Sequence, residues 1–103
     1  MQDQFSRTRM LVKREGIERL LSCHVAVFGL GGVGGYVVEV LARSGIGRLD
    51  LFDDDRVCLT NLNRQLFALH STVGKNKVDV AAERVRDINP NCEVKTHQMF
   101  YLP

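Results

Sequence analysis

The stretch Val25-Ala26-Val27-Phe28-Gly29-Leu30-Gly31-Gly32-Val33-Gly34-Gly35 sets the fold. A short apolar run enters a turn in which Gly29, Gly31 and Gly34 take the spacing G-x-G-x-x-G. The first glycine of such a turn lets the chain leave a strand sharply. The second has no Cβ, so a phosphate can approach the backbone. The third lets the following helix pack close to the sheet. The N–H groups of that helix's first turn point at an anion. The stretch therefore predicts a strand, a phosphate-binding turn and a helix, without saying which nucleotide is held.

Working outward, residues 24–28 read as a first strand, apolar on both faces and central in a sheet. Residues 32–44 read as a helix with Val37, Val38, Val40 and Leu41 inward and Gly45 placed to end it. Arg48-Leu49-Asp50-Leu51-Phe52 is a second strand that stops at Asp53-Asp54-Asp55. A loop over 56–73 follows, with a helical turn expected near Asn61 to Gln65. Residues 75–88 carry Val78, Ala81, Ala82, Val85 and Ile88 on one helical face. Asn89-Pro90-Asn91 breaks that helix. Cys92 to His97 alternate as a half-exposed edge strand. Upstream, residues 7–22 form one helix or two short ones, interrupted at Gly16.

The order predicts an α/β fold: a Rossmann-like β-α-β-α-β half of a doubly wound parallel sheet, preceded by N-terminal helices. In such a sheet the first strand pairs on its far side with a strand of the other half. Nothing in the 103 residues supplies that strand. Residues 1–103 are therefore expected to be the N-terminal nucleotide-binding part of a larger domain, or to be completed by a partner.

Bulk properties exclude several classes. A hydrophobic content of 45% with 25% charged residues suits a globular domain and argues against wholesale disorder. A net charge of +2 makes no electrostatic case for a protein that coats nucleic acid. No apolar run approaches the roughly 20 residues of a membrane helix, and the N-terminus lacks a signal peptide's basic start and apolar core. The expected location is cytoplasmic. Cys23, Cys58 and Cys92 form no C-x-x-C pair, so structural zinc is not expected. Cys23 and Cys92 read as small core residues. The three histidines share no ligand spacing, and no residue is assigned as a metal ligand.

Asp53, about twenty residues beyond the glycine turn, is placed to bond ribose hydroxyls, which suits NAD and ATP equally. The next loop separates them. Asn61, Asn63, Arg64 and Gln65, then Lys75 and Lys77, bring more cationic and amide groups than a diphosphate needs. A triphosphate, and a pyrophosphate leaving group, need them. The basic residues favour ATP.

The run Asp53-Asp54-Asp55-Arg56-Val57-Cys58-Leu59-Thr60-Asn61-Leu62-Asn63-Arg64-Gln65 resembles the D-x-D-x-V-x-x-[ST]-N-L-x-R-Q signature of the ThiF/MoeB/HesA superfamily, adenylating relatives of ubiquitin-activating enzyme. Gly74-Lys75-Asn76-Lys77 resembles its G-K-x-K, and Phe5-Ser6-Arg7 its aromatic-x-Arg near the N-terminus. Arg43-Ser44-Gly45-Ile46-Gly47 and Arg86-Asp87-Ile88-Asn89-Pro90 look most like the subgroup of tRNA threonylcarbamoyladenosine dehydratases. The resemblance implies an ATP- and magnesium-dependent enzyme that adenylates a carboxylate, with tRNA as partner, acting as a homodimer. By position it implies nucleotide binding by Gly29, Gly31, Gly34, Asp53, Asp55 and Gln65. It implies catalytic roles for Asn61, Arg64, Lys77 and Arg7, the last reaching into the neighbouring subunit. A further aspartate that helps hold magnesium falls beyond Pro103. The alternatives are adenylation of a ubiquitin-like sulfur carrier, an NAD-binding oxidoreductase domain, and a non-catalytic nucleotide-binding fragment.

Overall fold

The computed structural model describes residue 16 and residues 18–99. Arg7 and the expected helix over 7–15 lie outside them. The described elements are β1 (His24–Phe28), α1 (Gly32–Ser44), β2 (Arg48–Phe52), α2 (Lys77–Ile88) and β3 (Glu93–His97). Single 3-10 turns sit at Leu59–Asn61 and His70–Thr72 in the long loop. The strands form a parallel sheet in the order β1-β2-β3. This is the β-α-β-α-β unit the sequence predicts.

Each helix is a crossover, and both lie on the same face of the sheet. They touch each other through Glu39 and Arg84, whose guanidinium makes a two-pronged bond of 2.8–3.1 Å to the carboxylate. Arg84 holds the Glu39 carboxyl below its ordinary value. Between helices and sheet lies the core: Val27, Leu49, Leu51 and Val94 from the strands, Val38 and Ala42 from α1, and Val78, Ala81, Ala82 and Val85 from α2. Helix α1 ends where Gly45 turns left-handed at φ 94°, its N–H bonded to Ala42 and Leu41 carbonyls. Residues 18–22 make a helical turn against the sheet's far end, and Gly47 N–H bonds the Leu20 carbonyl at 3.0 Å.

Three expectations need correction, while the strand order agrees with the one predicted. Among the described residues β2 lies between β1 and β3, which leaves the far edge of β1 free, as expected for one half of such a sheet. Only Val27 of β1 is buried. In α1 the buried residues are Gly35, Val38 and Ala42, while Val37 and Val40 are exposed. Valines on two helical faces cannot all point at one sheet. Cys92 is buried but Cys23 is exposed, since it precedes the strand rather than lying in it. Burial raises the Cys92 thiol above its ordinary pKa. Finally, α2 starts at Lys77, not at residue 75. Asn76 pairs with Arg56 in an antiparallel bridge, and the Lys75 carbonyl accepts the Val57 N–H, so neither can be helical.

Candidate functional site: a cleft at the strand ends

The carboxyl ends of β1 and β2 open into a cleft of about 360 Å³ lined by Phe28, Gly29, Gly31, Phe52, Asp53, Asp54, Asp55, Lys77 and Met99. Its position follows from topology: loops leave a parallel sheet at that edge, and ligands of open α/β sheets bind there.

Local sequence builds the glycine turn. Gly29 stands at φ 86°, a conformation costly for residues with a Cβ, and its N–H bonds the Phe52 carbonyl at 2.8 Å. A Cβ on Gly34 would fall 1.8 Å from the Gly29 carbonyl oxygen, so only glycine lets α1 start so near the strand. No side chain caps α1, and its first turn holds no acidic residue. Its leading N–H groups and positive dipole end are therefore left for an anion.

Asp53 ties this turn to β2. One carboxylate oxygen accepts the Leu30 N–H at 2.7 Å and the other the Asp55 N–H at 2.8 Å. The carboxylate thus sets the turn's shape and still has lone pairs toward the cleft. The carboxylate oxygens of Asp53, Asp54 and Asp55 lie within 4.8 Å of one another.

Lys77 is the cleft's cation. It is 7% exposed, although it is the first residue of its helix. Its N–H bonds the Asp55 carbonyl at 3.0 Å, and its Nζ stands 4.0 Å from the Asp55 carboxylate. A buried ammonium beside the positive end of a helix is unfavourable without an anion. Here one exposed carboxylate accompanies it.

The remaining predicted residues form the floor and the flank. Asn61 is buried, and its side-chain oxygen accepts the Cys58 N–H at 2.9 Å, fixing the loop. Gln65 lies over the glycine turn, its amide 3.8 Å from where a Cβ of Gly31 would be. Arg64 is exposed, its guanidinium on the Thr60 carbonyl and the Asn63 side chain at 3.0 and 3.3 Å. None of the three lines the cleft, in contrast to Gly29, Gly31, Asp53, Asp55 and Lys77. Gly34 acts from behind the turn. Lys75 is exposed and borders a second hollow between the loop and α2. Sequence reasoning missed Phe28, Phe52 and Met99. The first two were findable, because they are the last strand residues before Gly29 and Asp53.

One further charge cluster lies on the sheet face away from the helices. Asp50, 6% exposed, bonds His97 at 2.9 Å, His24, and Arg48 at 3.3 Å. The His97 bond foremost, with those of His24 and Arg48, holds its carboxyl down to about 2 against the opposing effect of burial.

Comparison with known proteins agrees with this geometry. The model of the ThiF family matches residues 5–102. The chain is 54% identical over 101 residues to tRNA threonylcarbamoyladenosine dehydratase of Bacillus subtilis, covering 98% of this chain and 40% of the relative. It is 48% identical over 92 residues to ubiquitin-like modifier-activating enzyme 5 of Branchiostoma floridae, covering 85% of this chain and 22% of that one. It superposes on the crystal structure of Escherichia coli tRNA N6-threonylcarbamoyladenosine dehydratase in complex with ATP with a TM-score of 0.95 at 44% identity. That match covers 97% of this chain and 41% of the other. The chain thus spans about two fifths of the length of the dehydratases it matches.

Proposed function

Because the chain belongs to the ThiF family, we propose that it is the ATP-binding part of an enzyme that adenylates a carboxylate, with the threonylcarbamoyl group of a modified tRNA adenosine as substrate. The observation that carries the reading is the buried Lys77 in a cleft whose opposite wall is an uncapped helix start.

In this reaction a substrate carboxylate oxygen attacks the α-phosphorus of ATP. The bond from that phosphorus to the bridging oxygen breaks, and pyrophosphate leaves with the electron pair. The protein's task is to place the triphosphate and stabilise charge on the leaving oxygens. The glycine turn and the first N–H groups of α1 receive phosphate oxygens. The Lys77 ammonium meets charge that grows in the transition state, and Asp53 offers its free lone pairs to the ribose. Gln65 sits beside the glycine turn, and Arg64, whose backbone carbonyl lies against Gly32, is the second cation of this reading. Asp54 and Asp55 offer the hard oxygen donors that a magnesium ion takes. Arg7 acting across a homodimer completes the reading.

The likeness to a ubiquitin-like modifier-activating enzyme supports a second reading, in which the carboxylate is the C-terminus of a ubiquitin-like protein. Both readings share the cleft and differ in the substrate-binding part.

ATP–pyrophosphate exchange on the full-length protein tests the proposal. Lys77→Ala is expected to slow exchange about 10²–10³-fold while adenosine binding changes little. Exchange at the wild-type rate would remove Lys77 from this role. A preference for NAD over ATP in competition binding would overturn adenylation altogether.

A further inference from the structure

Helix α2 opens on Asn76, a residue type that caps helices well, yet the Asn76 side chain makes no capping bond to its own helix. It is engaged elsewhere. Its amide N–H donates to the Gln98 side-chain oxygen at 3.1 Å, and its oxygen accepts from the Gln98 amide at 2.8 Å. The Asn76 amide also donates to the Asp79 carboxylate at 3.2 Å. Two side chains 22 residues apart thus lock together, donor to acceptor twice.

The lock joins two connections at the cleft. Asn76 precedes Lys77 and Gln98 precedes Met99, and both Lys77 and Met99 line the cleft. On its other side Asn76 pairs with Arg56 in an antiparallel bridge, and the Lys77 N–H bonds the Asp55 carbonyl at 3.0 Å. The first turn of α2 is therefore held between the chain leaving β2 and the chain leaving β3. Such holding has a physical reason. Helix ends fray, and a start without a side-chain cap leaves its N–H groups to water. Lys77 is the first residue of α2 and carries a buried ammonium beside the helix's positive end. If that turn opens, the stem swings and the ammonium leaves for water, which solvates it better. A side chain serving helix stability alone would cap. This one forgoes the cap and fixes the place of the turn.

We propose that Asn76 and Gln98 are positioning residues for Lys77: their paired amides clasp the β3 exit to the start of α2 and hold the ammonium where phosphate charge develops. The proposal rests on the adenylation reading above. An exposed amide pair adds little to stability, whereas a small displacement of a catalytic group lowers rate steeply. Rate and stability are therefore expected to separate.

ATP–pyrophosphate exchange and thermal unfolding, both on the full-length protein, test the clasp. Asn76→Ser keeps a good capping residue but is too short to reach Gln98. It should slow exchange at saturating ATP about tenfold and leave the melting temperature unchanged or raised. Gln98→Ala should slow exchange equally. The two changes together should be no slower than either alone. In a Lys77→Ala background Gln98→Ala should have no further effect, because the clasp acts through Lys77. Wild-type exchange in both single variants would overturn the clasp and leave the adenylation reading in place. So would losses that multiply with that of Lys77→Ala, or losses that only follow a fallen melting temperature. Wild-type protein without exchange activity brings down both.

Discussion

Leu51 and Phe52 are neighbours in β2, yet they belong to two different kinds of surface. Leu51 faces the helices and is wholly buried, packed in the same core as Leu49, Val38 and Val85. Phe52 faces the other way, into a row of rings beside a cleft, next to a buried carboxylate gripped by two histidines and an arginine. One face of the sheet is held by area removed from water, which is non-directional and tolerant of composition. The other is held by directional bonds and stacked planes, which fix orientation. Orientation is what a ligand site needs, and the cleft lies at the strand ends, where Phe28 and Phe52 meet the glycine turn and Lys77.

The two faces should fail differently. The largest expected loss is on the helix side. Leu51→Ala removes a fully buried side chain from the central strand and should destabilise the fold by about 2–5 kcal/mol, measured by denaturant unfolding. A loss near zero would mean that the helices do not cover β2 as tightly as its burial indicates.

An intermediate effect is expected on the polar face, visible as pH dependence. The Asp50 carboxyl is held at about 2, below its ordinary 3.8, chiefly by His97. A folded-state value below the unfolded one stabilises the protein above the unfolded value. That contribution, of order 1–2 kcal/mol, is lost as pH falls from about 4 through about 2. Asp50→Asn should flatten the stability–pH curve in that window, while Leu51→Ala lowers the whole curve without changing its slope. Acid unfolding monitored by circular dichroism separates the two.

The smallest effect concerns the outward side of α1. Val40 is 59% exposed, and Val40→Lys should change the stability of this chain by no more than about 0.5 kcal/mol. A loss several times larger, seen by the same unfolding experiment, would mean that the apolar stripe of α1 is covered in solution, and the contrast between inner and outer faces would have to be redrawn.

How much of this was legible in sequence depends on the kind of signal. Helix α2 was readable because its polar residues alternate with Val78, Ala81, Ala82 and Val85 at helical spacing, so only one face could turn inward. Helix α1 was readable in extent but not in orientation. Apolar residues lie on several of its sides, and periodicity cannot choose among them. In the cleft, Gly29, Asp53 and Lys77 were legible because a motif places each at a fixed distance from the strand end. The dual bonding of Asp53 was not, since it depends on where the Leu30 N–H is in space.

The sequence by itself determined the alternation of strands and helices, the site of the glycine turn and the family of the chain. Each of these is written in local spacing: apolar periods, left-handed positions only glycine takes readily, and a contiguous polar signature. The tertiary structure alone decided that Val37 and Val40 face outward and that Asn61 and Arg64 lie off the cleft wall. It alone joined His24, Asp50 and His97 across three strands. Residues 24, 50 and 97 are far apart along the chain, and no local pattern links them. They meet because parallel pairing sets His24 beside Arg48 and His97 beside Phe52, one diagonal step to either side of Asp50 on the same sheet face, and strand register is a property of the assembled sheet.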